Sequence, residues 1–182
     1  MSWLKTAFLV GAAFLAVFWE AAFDGVRRLL GGQIDLLPAL TAYAALQTDF
    51  PRTILVAVCG GLFFDSVSAT PLGISVLPLL VIGVVIYRVR ELILKDEVFA
   101  QALIGLGVSA AAPVMTLILL LTIGHTPILG WGSLWQLLLM TLGGAVALPL
   151  WSVLFEWLES TFSHDRVQQL SFRPDREIRR GR

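Results

Sequence analysis

Long apolar stretches separated by short charged connections dominate the chain. Four of them come close to or exceed the roughly 20 helical residues that cross a hydrocarbon core of about 30 Å. They are residues 3–23, 72–87, 98–123 and 134–158, of which the second is on the short side. Two shorter stretches, 34–46 and 53–64, lie between the first and second and are separated by QTDFPR. The pattern predicts an all-α membrane protein, a bundle of six transmembrane helices of which two are short.

The two short stretches leave two alternatives open. The pair either crosses the membrane with tilt and local thinning, or enters and returns as a hairpin shielded by the other helices. Both alternatives leave the direction of every later helix unchanged. The positions of the basic residues therefore predict the orientation whichever alternative holds.

The basic residues are distributed unevenly between the two predicted sides. With the N-terminus in the cytoplasm, only Arg27 and Arg28 of the 13 lysines and arginines fall outside, although Arg52 is ambiguous if the short pair is a hairpin. Cytoplasmic loops of membrane proteins carry an excess of Lys and Arg. We therefore expect both termini to be cytoplasmic.

Composition supports a membrane protein with one domain. Of the 182 residues, 57% are hydrophobic and 14% are charged, against about 45–50% and about 25% in soluble domains. We assign residues 1–160 to a single bundle and residues 161–182 to a basic, disordered cytoplasmic tail. Such a tail is expected to rest on anionic lipid headgroups or, alternatively, to dock a cytoplasmic protein. The arginines of the tail that are expected to face the lipid headgroups are Arg173, Arg176, Arg179, Arg180 and Arg182.

Residues that would carry chemistry are scarce. There is no phosphate-binding glycine loop, no paired-histidine metal motif and no cysteine pair. The string GVSAA around Ser109 weakly resembles the serine of intramembrane proteases, but neither His125 nor His164 lies in a later membrane helix to act as a base. A formal net charge of zero gives no reason to expect a nucleic-acid partner. We expect no catalytic residue, no cofactor and no metal, and thus a protein that is not an enzyme.

Several acids lie within or beside the apolar stretches, where an ionisable group is costly. They are Glu20, Asp24, Asp35, Asp65, Glu156 and Glu159. Most are terminal, and Glu20 can meet Arg27 or Arg28 in the connection that follows. No acid is expected at mid-membrane with a second acid nearby, an arrangement that a proton-coupled exporter would need.

Small residues recur at four-residue spacing, which lets helix backbones approach closely in lipid. The pairs are Ala57 with Gly61, Gly105 with Ser109, and Gly143 with Ala147. We expect these pairs to pack inside the bundle; an intermolecular face is the alternative.

The stretch GGLFFDSVSATPLG connects the third and fourth apolar stretches and contains an isolated acid, Asp65. Thr70 is placed as the N-cap of the next helix and Pro71 at its first position. The Asp65 carboxylate, or a serine hydroxyl such as that of Ser68, can then accept from the unpaired N–H groups of that helix. Gly73 is expected to leave room for a close neighbour.

The longer stretch GGLFFDSVSATPLGISVLPLLVIGVVIYRVRE resembles the central motif of the rod shape-determining protein MreD family. The residues that match this motif in order are Asp65, Ser68, Pro71, Leu72, Gly73, Tyr87 and Arg88. The preceding stretch IDLLPALTAYAAL resembles the aspartate-led helix of that family, although there the aspartate usually follows proline and here Asp35 follows Ile34. The specific residues cover positions 35–90, and the last two helices match by hydropathy alone.

The resemblance implies a non-enzymatic scaffold of bacterial cell elongation, in the inner (cytoplasmic) membrane. Members of the family associate with the single-span protein MreC and act with MreB, RodA and a class B penicillin-binding transpeptidase in lateral peptidoglycan synthesis. A fold-level likeness implies an alternative, the substrate-binding subunit of an energy-coupling-factor vitamin transporter. That alternative would need a polar, aromatic-lined cavity open to the outside, for which Trp131 and Trp135 are candidates unless they are interfacial belt residues.

Overall fold

A computed structural model describes residues 2–22, 31–68, 71–93, 97–124 and 130–170. Within these ranges the chain is helical and contains no strand, which confirms the predicted all-α class. The α-helices are α1 (Ser2–Ala22), α2 (Leu37–Gln47), α3 (Phe50–Val67), α4 (Val76–Val89), α5 (Val98–Thr122) and α6 (Trp131–Leu170). A 3₁₀ turn, Arg90–Leu92, follows α4 directly.

Four of these helices, α1, α3, α5 and α6, are long and apolar enough to cross a membrane. The lengths of α3 and α4 differ from those predicted from sequence. Helix α3, predicted to be short, has 18 residues and extends beyond the predicted stretch at both ends, with Pro51 in its first turn. Helix α4, predicted to cross, has 14 residues and spans about 21 Å at 1.5 Å per residue. Four crossing helices are thus supported by length, whereas six crossings and cytoplasmic termini stay predictions.

Helix α2 lies at the centre of the packing. Ten of its 11 residues are buried, and it contacts α1, α3, α4 and α5. Its alanines Ala39, Ala42, Ala44 and Ala45 are completely buried, so neighbouring backbones can approach on every side. A helix that is apolar all round is a buried helix. The shielding that the hairpin alternative required is therefore present for α2.

Helices approach each other closely at glycines, which have no side chain. A Cβ on Gly61 of α3 would lie 2.7 Å from the Cα of the first residue of α4, a separation that real Cβ atoms do not show. Gly105 of α5 faces the backbone of Gly144 in α6, and Gly143 faces the side chain of Ile34. The small-residue pairs therefore pack inside the bundle, as predicted.

The chain divides into two compact units, Met1–Trp151 and Ser152–Arg182. The first contains α1 to α5 and the beginning of α6, and the second contains the rest of α6. The sequence placed the end of the bundle at residue 160 and a disordered tail from 161 onward. Helix α6 instead continues as far as Leu170, and residues 171–182, with all five arginines named above, lie outside the described residues.

Candidate functional site

The carboxylate of Asp65 holds the turn between α3 and α4. Asp65 lies in the last turn of α3 and is only 2% exposed. Its Oδ2 accepts from the backbone N–H of Gly73 at 2.7 Å and from that of Ser75 at 3.2 Å, while Oδ1 lies 3.3 Å from the Ser75 nitrogen. Hydrogen bonds from backbone N–H groups to an ionised carboxylate are stronger than neutral ones. The predicted contact between this acid and the start of the next helix is thus present.

The details of this turn correct two expectations. Helix α4 begins only at Val76, after a turn over residues 72–75, so Pro71 precedes the turn and does not open the helix. Gly73 has φ +95° and nothing within 4 Å of an added Cβ. Glycine is therefore needed there for its backbone conformation and not to make room for a neighbour. The predicted N-cap, Thr70, lies outside the described residues.

Ser68 takes part in the same turn through its backbone. It is the C-cap residue of α3, and its N–H donates to the Phe64 carbonyl at 2.9 Å. This bond satisfies one of the carbonyls that the end of a helix leaves free. The contact to the start of α4 comes from Asp65, so of the acceptors that the sequence proposed for these N–H groups, the carboxylate is the one observed.

At the far end of α4, a basic residue connects three segments. The Arg90 Nη1 donates to the Thr48 carbonyl at 2.9 Å, and the guanidinium carbon lies 4.1 Å from the centroid of the Tyr87 ring. That ring packs against Phe50 at a centroid distance of 5.1 Å. Arg88, which the sequence motif singled out, is exposed. The signal for Arg90 was available, because residues three apart on a helix face each other and Tyr87 is three positions earlier.

Both ends of the first unit carry described acids, whereas its described basic side chains lie at one end only. The bond from Arg90 to Thr48 brings the ends of α4 and α2 together, and a bond of 2.8 Å from Gln33 to Glu20 brings the end of α1 beside the start of α2. The described basic side chains of this unit all belong to the first of these ends: Lys5, Arg52, Arg88 and Arg90. Three acids belong to the opposite end: Glu20, Asp35 and Asp65.

Two of these acids meet in a polar cluster before α2. Glu20 Oε1 accepts from the Gln33 side-chain amide at 2.8 Å. Gln136 of α6 donates to the Gln33 carbonyl and accepts from its N–H, both at 2.9 Å. Asp35 Oδ1 accepts from the Leu37 N–H at 2.9 Å, and the Asp35 carboxylate is close enough for its charge to act on Glu20.

Glu20 lies near the end of α1 and Asp35 lies before the start of α2. The pair is therefore not the mid-membrane acid pair that a proton-coupled exporter would need. Glu20 Oε2 is buried and has no hydrogen-bond partner within the described ranges. Its predicted partners, Arg27 and Arg28, lie outside those ranges. No local sequence pattern predicts the pair, because the two acids are 15 positions apart and belong to different segments.

A groove of about 210 Å³ opens beside Asp35. Its walls come from the segment before α2 and the first residue of α2, from α3, from α4 and the turn before it, from α5, and from one residue of α6. Asp35, Ser75 and Thr116 are its polar residues, and the others are apolar. The Thr116 hydroxyl donates to the Ala112 carbonyl inside α5. The Asp35 carboxylate is therefore the one charged group among the residues that line this groove.

Ser109 lies in a helix contact. Its hydroxyl is buried, has no hydrogen-bond partner among the described residues and packs directly against Gly144. His125 lies outside the described residues, as does the side chain of His164. In the part of the chain that the structure describes, no three His, Cys, Asp or Glu side chains come together as metal ligands.

Comparisons with protein-family models, with curated proteins and with solved structures found no match. The site is therefore interpreted from the chain's own residues. Asp65 fixes the α3–α4 turn, Arg90 fixes the other end of α4, and Asp35 places a charge beside an apolar groove. The two ends of α4 are thus held by side-chain contacts, and the Asp35 carboxylate is the charged group of a mostly apolar groove.

Proposed function

We propose that this chain is a non-enzymatic scaffold of the bacterial cell-elongation complex, a multi-pass protein of the inner membrane that supports lateral peptidoglycan synthesis and rod shape. The proposal rests on the resemblance of residues 60–91 to the MreD motif. The observation that carries it is the contact between Asp65, the acid at the centre of the motif, and the turn before α4. Both oxygens of Asp65 contact backbone N–H groups, so the residue serves to fix one turn of the bundle.

A membrane orientation with both termini in the cytoplasm and six passages is part of the proposal. The described basic side chains of the first unit share one end of the bundle, and an end rich in Lys and Arg faces the cytoplasm. Cysteine labelling tests this after Cys59 is replaced by alanine. A cysteine at Ser68 should react with an impermeant reagent from the outside, whereas one at Ser171 should react only after the membrane is opened. The reverse pattern would contradict the orientation.

The proposed direct partner is MreC, through its single membrane helix. Exposed apolar side chains cover the outer faces of several helices, including Phe14 and Trp19 on α1 and Ile118 and Leu121 on α5. Such faces contact either lipid tails or another transmembrane helix, because both of these surroundings are apolar. MreB, RodA and a class B penicillin-binding transpeptidase are proposed as further members of the complex. The basic C-terminal residues are proposed to lie against anionic lipid headgroups near the filament.

The vitamin-transporter alternative requires a ligand cavity. The groove beside Asp35 can be compared with such a cavity in volume and in lining residues. Its volume of about 210 Å³ is below the range of about 300–1,000 Å³ typical of small-molecule sites. Trp131 and Trp135, the aromatic residues considered for such a cavity, do not line it and are exposed. These features favour the scaffold over a vitamin-binding subunit.

Depletion of the protein from cells that produce it tests the proposed function. Rod-shaped cells should become round, and expression of the wild-type chain from a second copy should restore the rods. An Asp65→Leu copy should fail to restore them, whereas a Ser66→Ala copy should succeed because that side chain is exposed and bonds only within its own helix. Cells that keep their shape and their rate of lateral wall synthesis after full depletion would contradict the proposal.

A further inference from the structure

The groove beside Asp35 lies at the end of the bundle where α3 and α5 finish and α4 begins. Its wall includes Ser75 just before α4, Leu79 in the first turns of α4, and Thr116 and Leu120 near the end of α5. Leu79 is buried, and Thr116 and Leu120 are partly exposed. The groove is therefore a surface feature that cuts inward from the apolar outside of two helices to a charged group.

The carboxylate of Asp35 is weakly compensated compared with that of Asp65. Asp65 has three contacts to two backbone N–H groups. Among the described residues, Asp35 accepts one hydrogen bond, from the Leu37 N–H to Oδ1. No described basic side chain of the first unit lies at this end of the bundle. An ionised group in apolar surroundings is costly unless it is paired. A cation in the groove would stabilise the ionised form of this carboxylate.

The size and the surroundings of the groove restrict what that cation can be. A volume of about 210 Å³ is too small for a drug-sized molecule but sufficient for a long side chain. The rims are defined as the exposed residues that directly adjoin lining residues in sequence, and they are apolar; they include Leu77 on α4 and Val114 and Ile118 on α5. A helix that packs against these rims can insert a lysine or arginine whose apolar stem lies along the groove and whose charged head reaches the acid.

We propose that this groove is the docking site for a basic side chain carried by a partner's transmembrane helix, with Asp35 as its charge partner. The inference rests on the proposed function, because it names how a scaffold of this kind holds a single-span partner. It assigns the attachment to the faces of α4 and α5 that flank the groove. The basic residue should lie toward the end of the partner helix that matches the Asp35 end of the bundle, since a cation elsewhere along the helix cannot reach the carboxylate.

A model helix tests the docking site without any natural partner. The probe is a membrane-spanning peptide of about 20 leucines and alanines flanked by tryptophans, with one lysine near one end, and its twin carries leucine there. Energy transfer from labelled full-length protein to labelled peptide is measured in phosphatidylcholine vesicles. The wild-type chain should prefer the lysine peptide by on the order of tenfold, as expected for a hydrogen bond to a charged group.

Three variants of the protein separate charge from shape. Asp35→Asn keeps an oxygen for the Leu37 N–H and should remove the preference for lysine while leaving the binding of the leucine peptide unchanged. Asp49→Asn removes an exposed acid at the opposite end and should keep the preference. Thr116→Leu narrows the groove and should weaken binding of the lysine peptide without removing the charge. A wild-type chain that binds both peptides equally, or a preference that survives Asp35→Asn, would overturn the proposal.

An aminophospholipid is the competing occupant, since its ammonium group offers the same charge. Adding phosphatidylethanolamine to the vesicles should leave the lysine preference intact; loss of the preference, with the lipid retained by the protein, would overturn the docking proposal. Failure of the proposed function would look different. In that case MreC would not associate with the chain at all, while the preference for the lysine peptide and its dependence on Asp35 would remain.

Discussion

Replacing Asp65 with leucine should destabilise the bundle more than any other single change to the α3–α4 turn. The substitution leaves the N–H groups of Gly73 and Ser75 without their acceptor, which now lies 2.7 Å and 3.2 Å away. A buried donor that loses its partner costs about 1–3 kcal/mol, and hydrogen bonds to charged groups lie at the upper end. Two such donors give an expected loss of about 2–6 kcal/mol in the free energy of unfolding.

Two comparison variants test whether the loss of stability comes from the Asp65 carboxylate. Asp65→Asn retains one oxygen that can accept from the Gly73 N–H, so we expect a loss of about 1–2 kcal/mol, smaller than that of leucine. Ser66→Ala changes the next residue, whose exposed hydroxyl donates only to the Leu62 carbonyl of its own helix. A surface substitution of this kind should stay within about 0.5 kcal/mol.

The assay is reversible unfolding by sodium dodecyl sulfate in mixed micelles, followed by circular dichroism and tryptophan fluorescence. The expected order of stability is wild type and Ser66→Ala first, then Asp65→Asn, then Asp65→Leu. Recovery of intact complex from detergent extracts should follow the same order. Equal stability of the leucine and asparagine variants, both at the wild-type level, would refute the role given to the carboxylate.

Three further predictions follow from contacts elsewhere in the helices and can be measured by the same unfolding assay. Gly61→Leu places a side chain where even an added Cβ would lie 2.7 Å from the Cα of Val76, so it should cost at least about 1–3 kcal/mol; wild-type stability would show that α3 and α4 are not in contact there. Gly73→Ala forces a side chain onto a residue with φ +95° and should cost about 1–3 kcal/mol, and a neutral result would argue against that turn. Arg90→Ala removes a hydrogen bond and a ring contact and should cost about 1–3 kcal/mol, whereas Arg88→Ala should stay within about 0.5 kcal/mol; equal effects would contradict the assignment of the contact to Arg90.

The helices and the Asp65 contact could be predicted from sequence because both depend on local patterns. Apolar stretches of about 20 residues mark helices in lipid whatever their neighbours. An acid that ends one helix a few residues before the next has N–H donors within reach, and the structure places it on Gly73 and Ser75. The exact start of α4 was missed because a proline after a threonine is typical of a helix start, yet here the positive φ of Gly73 delays the helix.

The central position of α2 could not be read from periodicity. In water, an apolar stripe shows which face of a helix is buried, but in lipid the outer face is apolar too, so no stripe separates core from surface. Small residues were the remaining signal, because the alanines of α2 permit close approach on all sides. The meeting of Glu20 with Asp35 depends on how α1 packs beside the segment before α2, which is tertiary information that local spacing does not contain.

Co-purification of MreC with the tagged chain tests the scaffold proposal most directly. Membranes from cells that produce both proteins are solubilised in mild detergent, and the chain is recovered alone and after depletion of MreB, RodA and the transpeptidase. The account predicts that MreC is recovered in both cases and that its recovery falls when Asp65 is replaced by leucine. Absence of MreC from the purified wild-type protein, with both proteins present in the extract, would contradict it.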